Sequence, residues 1–171
     1  MIRPERPGDE AAIRSVVDAA FAPSTEEGRI VEDLRGGDGW IPELSLVALD
    51  GDGAIVGQCL TSAGTLTDEA GTTRAILALG PIAVAPEHQG QGIGGDLMRA
   101  TIAAATELGW PLIVLVGHAT YYPRFGFESA RSLGVEPPQP WSDEFWMALR
   151  LPAWTPAWRG AMRYPPAFAI D

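Results

Sequence analysis

Residues 75–108, AILALGPIAVAPEHQGQGIGGDLMRATIAAATEL, read as an apolar strand, a glycine-crowded turn and a long amphipathic helix. Ile76, Leu77, Leu79, Ile82 and Val84 supply the strand. Ile93, Leu97, Ala100, Ala104 and Leu108 recur at helical spacing and give the helix one apolar face. Between them lies Gln89-Gly90-Gln91-Gly92-Ile93-Gly94-Gly95, with four glycines in seven residues. Side chains leave the successive backbone N–H groups there uncovered, and the positive end of the helix dipole converges on the same small volume. Phosphate oxygens suit such a place.

The surrounding residues narrow the choice of phosphate ligand. Gly90, Gly92 and Gly95 fit the spacing of a dinucleotide loop. That loop should open the first βα unit and be followed about twenty residues later by an acidic side chain. Here it sits mid-chain, and the residues beyond are Leu112, Ile113, Val114 and Leu115. A Walker loop needs Gly-Lys-Ser/Thr, and the chain has no lysine. A phosphate cradle and a plain tight strand-to-helix connection both stay open on the loop alone.

Composition bounds the rest. A chain of 171 residues is expected to form one domain, 1–171, and its 46% apolar content suits a packed core. The net charge of −10 disfavours nucleic acid and anionic membrane surfaces as partners, and no arginine cluster offsets it. The same charge would attract a cationic amine, or simply keep the chain in solution. Cys59 has no second cysteine to pair with and is expected to be a buried thiol. His88, His118 and Cys59 match no zinc spacing, so no metal is expected. Neither a signal-peptide core nor an apolar run of membrane-spanning length is visible, which gives a cytoplasmic, soluble protein as the expectation.

In chain order, Ile2–Pro4 reads as a short first strand. Asp9 is placed to cap a helix through Ile13, Val16, Val17, Ala20 and Phe21. Ser24-Thr25-Glu26-Glu27 reads as a capping box for a second helix through Ile30 and Leu34, ended by Gly36-Gly37. Leu44–Leu49 and Ala54–Ala63 read as strands joined by the hairpin turn Asp50-Gly51-Asp52-Gly53, with a polar loop at 65–73. After the central helix, Gly109 and Pro111 end it, and Leu112–Val116 reads as a strand buried on both faces. A helical turn over 119–124, an extended piece from Phe127, a connector at 137–140 and a last strand at 144–149 complete a mixed sheet. In the tail, 151–171, Trp154, Trp158, Tyr164 and Phe168 stand among prolines, so neither helix nor regular strand is expected. The aromatics are expected to pack on the domain, with a dimer contact or a lid as the alternatives.

Gly80-Pro81 interrupts the central strand. Proline cannot donate to a ladder and glycine tolerates a bulge, so a splay from the neighbouring strand 112–116 is expected there. Such a gap exposes backbone amides that a narrow diamide ligand could complete.

Two motifs in order, Gln89-x-x-Gly92-x-Gly94 after Ile82-Ala83-Val84 and then Tyr121-Tyr122-Pro123-Arg124-Phe125-Gly126-Phe127, resemble the GCN5-related N-acetyltransferase (GNAT) family. More narrowly, the chain resembles predicted bacterial acetyltransferases with a Tyr-Tyr-Pro-Arg-Phe-Gly-Phe motif. The likeness is strong over residues 77–127. It implies an α+β single domain whose mixed, mostly antiparallel sheet is splayed at the central strand and flanked by helices. It further implies an enzyme that transfers acetyl from acetyl-CoA to a primary amine by direct attack in a ternary complex. The family pattern assigns the cofactor to Ile82, Ala83, Val84, Gln89, Gly90, Gln91, Gly92, Ile93, Gly94 and Gly95, and general acid catalysis to Tyr122. A core tyrosine with a satisfied hydroxyl is the alternative for Tyr122. The acceptor would be a small-molecule or peptide amine, and family members commonly form homodimers. No base is identified: Glu43 and Glu87 read as solvated carboxylates. The asparagine that many members carry after the fifth strand is absent, and His118 stands nearby as a turn residue or a substitute contact. A non-catalytic acyl-CoA-binding or sensor domain is the competing reading, and an interaction protein built on the aromatic tail is a third.

Overall fold

The computed structural model describes residues 1–170; Asp171, the last residue of the expected tail, lies outside them. The chain divides into two compact units, one of Met1–Thr61 with Gly80–Ala104, the other of Ser62–Leu79 with the chain from Ala105 onward. Three long elements pass through both: β3 (Ile55–Thr67), β4 (Thr73–Val84) and α3 (Ile93–Glu107).

The first unit holds β1 (Ile2–Pro4), α1 (Glu10–Phe21), α2 (Glu26–Leu34) and β2 (Ser45–Leu49), with the strand order β1-β2-β3-β4. β2 is antiparallel to both β1 and β3. The apolar periodicity does its work as expected: Ile13, Val16 and Val17 of α1 and Ile30, Val31 and Leu34 of α2 are buried. The caps differ. The Asp9 carboxylate does not cap α1; it accepts both Arg3 guanidinium nitrogens, at 2.6 and 3.1 Å, and the Arg6 N–H at 2.7 Å. A bidentate guanidinium outcompetes a single helix N–H, and Arg3 holds the Asp9 carboxyl below its ordinary range. The capping box at α2 is also partial. Ser24 Oγ accepts the Glu26 N–H at 3.2 Å and donates to the Glu27 carboxylate at 2.6 Å, so the serine alone reaches the helix. Leu44 ends a 3-10 turn, Pro42–Leu44, rather than opening β2.

The buried stripe of α3 is Leu97, Met98, Thr101 and Ala105, one step around from the expected face, and Leu108 is 47% exposed beyond the helix end. Thr101 explains the misreading: its hydroxyl donates to Cys59 Sγ at 3.4 Å, so a polar residue occupies the core face with its hydrogen bond satisfied. Gly57 of β3 lets α3 approach, because a methyl carbon there would lie 3.1 Å from Leu97 and 3.2 Å from Ile93.

The second unit adds β5 (Leu112–Val116), β6 (Glu128–Ser129), β7 (Val135–Glu136), β8 (Trp146–Arg150) and β9 (Gly160–Arg163). Its order is β3-β4-β5-β8-β6, with β9 joined to β3 and β7. Two pairings, β4 with β5 and β7 with β9, are parallel; β8 is antiparallel to β5 and β6, as β9 is to β3. The fold is therefore mixed α/β, an open and mostly antiparallel sheet flanked by three helices. The polar stretch 65–73 is not a loop. β3 runs on to Thr67 and turns at Asp68, whose carboxylate accepts the Ala70 and Thr72 N–H groups, before β4 begins. Thr67 and Thr73 bond across that hairpin at 2.9 Å; β-branched threonines suit a strand despite their polarity.

The tail contains a strand, contrary to expectation, and β8 is not the last one. β9 fits between prolines because only four residues, Gly160–Arg163, need the ladder. Trp154, Trp158 and Tyr164 pack on a core of Leu66, Ile76, Leu112, Val114, Trp146 and Met162, among others. Trp146 is fully buried, with its indole N–H on the Val135 carbonyl at 2.9 Å.

Candidate active site

The candidate residues fall into two groups, one in each unit. In the first unit, the final half of β4 carries Ile82, Ala83 and Val84; Ala83 is buried and the other two are half-buried. Ala85 N–H bonds the Val56 carbonyl, and Pro86–His88 makes one 3-10 turn. The Gln89 amide donates back to the Val84 carbonyl at 3.0 Å, which ties the loop to the strand end. The Gln91 amide reaches the Glu87 carbonyl at 3.4 Å. Gly90 and Gly92 have φ of +76° and +86°, values that side chains resist, and the space where their side chains would stand is open.

The helix begins at Ile93, so Gly94 and Gly95 form its first turn instead of preceding it. The Gly92 carbonyl accepts the first helical bond, from Asp96 N–H at 3.0 Å. The N–H groups of Ile93, Gly94 and Gly95 are then the orphan donors of the helix start. With the exposed Gly90 and Gly92 before them, they present their amides together with the helix dipole. This arrangement fits a phosphate-bearing group. The sequence pattern missed one neighbour: the Arg99 guanidinium folds back beside Gly95, 3.3 Å from where its methyl carbon would stand, and bonds Asp96 at 2.8 Å. Its only signal is the four-residue helical step from Gly95.

In the second unit, the parallel ladder between β4 and β5 consists of Leu77 with Ile113 and Ala78 with Val114, and it stops short of Gly80-Pro81. After β5, Gly117 N–H bonds the Phe145 carbonyl at 3.0 Å. Tyr121 N–H bonds the His118 carbonyl, and Tyr122–Phe125 forms a single 3-10 turn. Gly126, with φ +96°, closes that turn and turns Phe127 into the core. The half-buried Tyr122 ring meets Tyr121 edge-on at 5.1 Å and Phe127 at 5.9 Å. Arg124 stacks over Tyr121 at 4.5 Å and bonds its carbonyl, so it serves the turn. His118 is exposed and belongs to the turn, while Glu43 and Glu87 are exposed on short 3-10 turns.

Among the described residues no group of three His, Cys, Asp or Glu side chains could hold a metal ion. None of the described helices is long and apolar enough to cross a membrane.

Comparison with known proteins gives this geometry a family. An acetyltransferase (GNAT) domain model matches residues 42–129. An uncharacterized N-acetyltransferase of Escherichia coli K12, YjhQ, is 38% identical over 85% of this chain and 81% of its own length. A second from the same strain, YhbS, is 33% identical over 76% of this chain and 74% of its own. Among solved structures, a GNAT family acetyltransferase from Brucella melitensis in complex with acetyl-CoA superposes with a TM-score of 0.79 at 35% identity, over 98% of this chain and 97% of that one. The crystal structure of Escherichia coli YhbS in complex with CoA superposes with a TM-score of 0.87 at 28% identity, over 99% and 91%. With the family model covering half of its length and curated relatives above 30% identity, this chain belongs to the GNAT family of acetyl-CoA-dependent N-acetyltransferases.

Proposed function

We propose that this protein acetylates a primary amine directly from acetyl-CoA, with Tyr122 as the general acid. The observation that carries the reading is the run of bare amides at the start of α3. Gly90 and Gly92 leave open space, and the N–H groups of Ile93, Gly94 and Gly95 have no helical acceptor. Gln89–Gly95 then hold the pyrophosphate, and Ile82–Val84 offer strand backbone to the pantetheine arm and the acyl carbonyl. Amides of the Ala83–Val84 region that lie against this carbonyl stabilise negative charge as it develops there. The bound donor supplies the acetyl group as a thioester.

The amine nitrogen forms the new C–N bond as the C–S bond breaks; the nitrogen releases a proton to solvent, and the sulfur leaves as a thiolate that needs one. Tyr122 donates it. A phenol titrates near ~10 and a thiol near ~8.5, so the donor is protonated at neutral pH and only modestly mismatched. The Brucella relative's complex with acetyl-CoA supports the choice of donor. The acceptor is a small-molecule or peptide amine.

Steady-state kinetics with a panel of amines, reading released thiol, tests the assignment. Tyr122→Phe keeps the ring and removes the proton. It is expected to lower kcat by roughly 10²-fold or more while the KM for acetyl-CoA stays nearly constant. An unchanged kcat would assign the acid elsewhere.

A further inference from the structure

Gly117 has no role in the family motif, yet its surroundings are specific. Its neighbours on β5, Leu115 and Val116, are laddered to Met147 and Trp146, and its own N–H is tied to the Phe145 carbonyl at 3.0 Å. The backbone leading into this point is therefore held along one edge, against residues 145–147. Gly117 is not in the left-handed region, so alanine would suit its φ. Space is what forbids a side chain. A methyl carbon on Gly117 would fall within contact distance of Tyr122 Cε2, and would lie 2.9 Å from Cδ2 and 3.0 Å from Cζ. The three nearest obstacles all belong to one ring.

We infer that Gly117 is a positioning residue for Tyr122: the bare Cα face of residue 117 is the seat of the Tyr122 ring. Tyr121 and Phe127 meet the ring edge-on, at 5.1 and 5.9 Å, and limit its movement along that seat. Rotation about χ2 leaves Cζ and its hydroxyl in place, so the 3.0 Å approach to Cζ is relieved only by tilting the ring, which carries the phenol oxygen with it. Proton transfer falls steeply once the donor leaves hydrogen-bond reach of its acceptor. The inference rests on the general-acid reading of Tyr122 for its catalytic consequence, but not for the packing itself.

The test is a double-mutant cycle with two readouts. For stability, Gly117→Ala is expected to lower Tm by several degrees in the Tyr122 protein and to leave it nearly unchanged in a Tyr122→Ala background, where the obstructing ring is gone. Equal losses in both backgrounds would overturn the seat. If Gly117→Ala alone fails to fold, folding restored by adding Tyr122→Ala supports the inference, and failure of the double variant overturns it. For catalysis, Gly117→Ala is expected to lower kcat about tenfold or more with the KM for acetyl-CoA within about twofold, and to add little to Tyr122→Phe. If Tyr122→Phe lowers kcat and Gly117→Ala does not, the positioning role is wrong. If Tyr122→Phe leaves kcat intact, the general-acid reading fails, and the stability cycle still decides where the ring sits.

Discussion

At the scale of single residues, Cys59 shows how burial sets chemistry. It lies fully buried on β3, takes a hydrogen bond from Thr101, and its thiol is pushed up to about 11, mainly because the core disfavours a thiolate. The sign of the linkage follows. A thiol whose folded pKa exceeds its unfolded value of ~8.5 contributes stability that is complete below that value and is lost as pH rises towards 11. Burial also raises the Tyr164 phenol, so total stability at high pH is not diagnostic. The difference between wild type and Cys59→Ala is. Urea midpoints measured from pH 7 to 10 should show wild type losing about 1–2 kcal/mol more than Cys59→Ala across that range. A parallel pair of curves would place the thiol in contact with water. Thiol reagents at pH 8 should likewise find Cys59 only in the unfolded chain.

At the scale of elements, β9 depends on glycine for a different reason than the Gln89–Gly95 loop does. Gly64 on β3 faces the Arg163 carbonyl, which would lie 2.7 Å from an added methyl carbon. The neighbour is backbone, so it cannot swing aside, and a side chain there must push β9 off its ladder with β3, in which Leu66 pairs Met162. Gly64→Val is expected to cost about 1–3 kcal/mol and to speed proteolysis within 151–170. Unchanged proteolysis and an unchanged urea midpoint would mean that the tail is held by its aromatics alone.

The same region shows what a sequence can and cannot carry. Strands β2, β4 and β5 and helices α1 to α3 were legible because each carries an apolar run or an apolar period. The strand β9 was not, because Gly160–Arg163 has one buried apolar side chain, Met162, and takes its pairing from two distant segments, β7 and, about a hundred positions away, β3. The hairpin at 65–73 was hidden by threonines and glycine that read as loop. In the candidate site, local features such as the glycine loop and the Tyr122 turn could be read directly. Gly117 and Arg99 could not, since their meaning lies in what stands beside them in space.

For the whole molecule, the charge makes the proposed ligand a demanding one. The chain carries −10 and no lysine, and acetyl-CoA is itself a polyanion. Long-range attraction is therefore not available, and affinity must come from short-range donors such as the amides at the start of α3. This makes binding sensitive to one added charge at the loop. Gly92 offers a controlled comparison. Asn and Asp have similar shape, and both tolerate a positive φ better than other side chains, so the backbone strain of Gly92→Asn and Gly92→Asp should match. The two variants then differ chiefly in a negative charge placed where phosphate oxygens would sit. A ligand that binds only the folded chain stabilises it by about 2.7 kcal/mol at one hundred times its Kd. For a protein of this size that is a rise in Tm of roughly 5–10 °C. Wild type should show that rise with acetyl-CoA, Gly92→Asn a smaller one, and Gly92→Asp essentially none. The three unliganded Tm values separate strain from charge. A full rise in Gly92→Asp would mean that the glycine loop is only a connection and that the pyrophosphate is bound elsewhere.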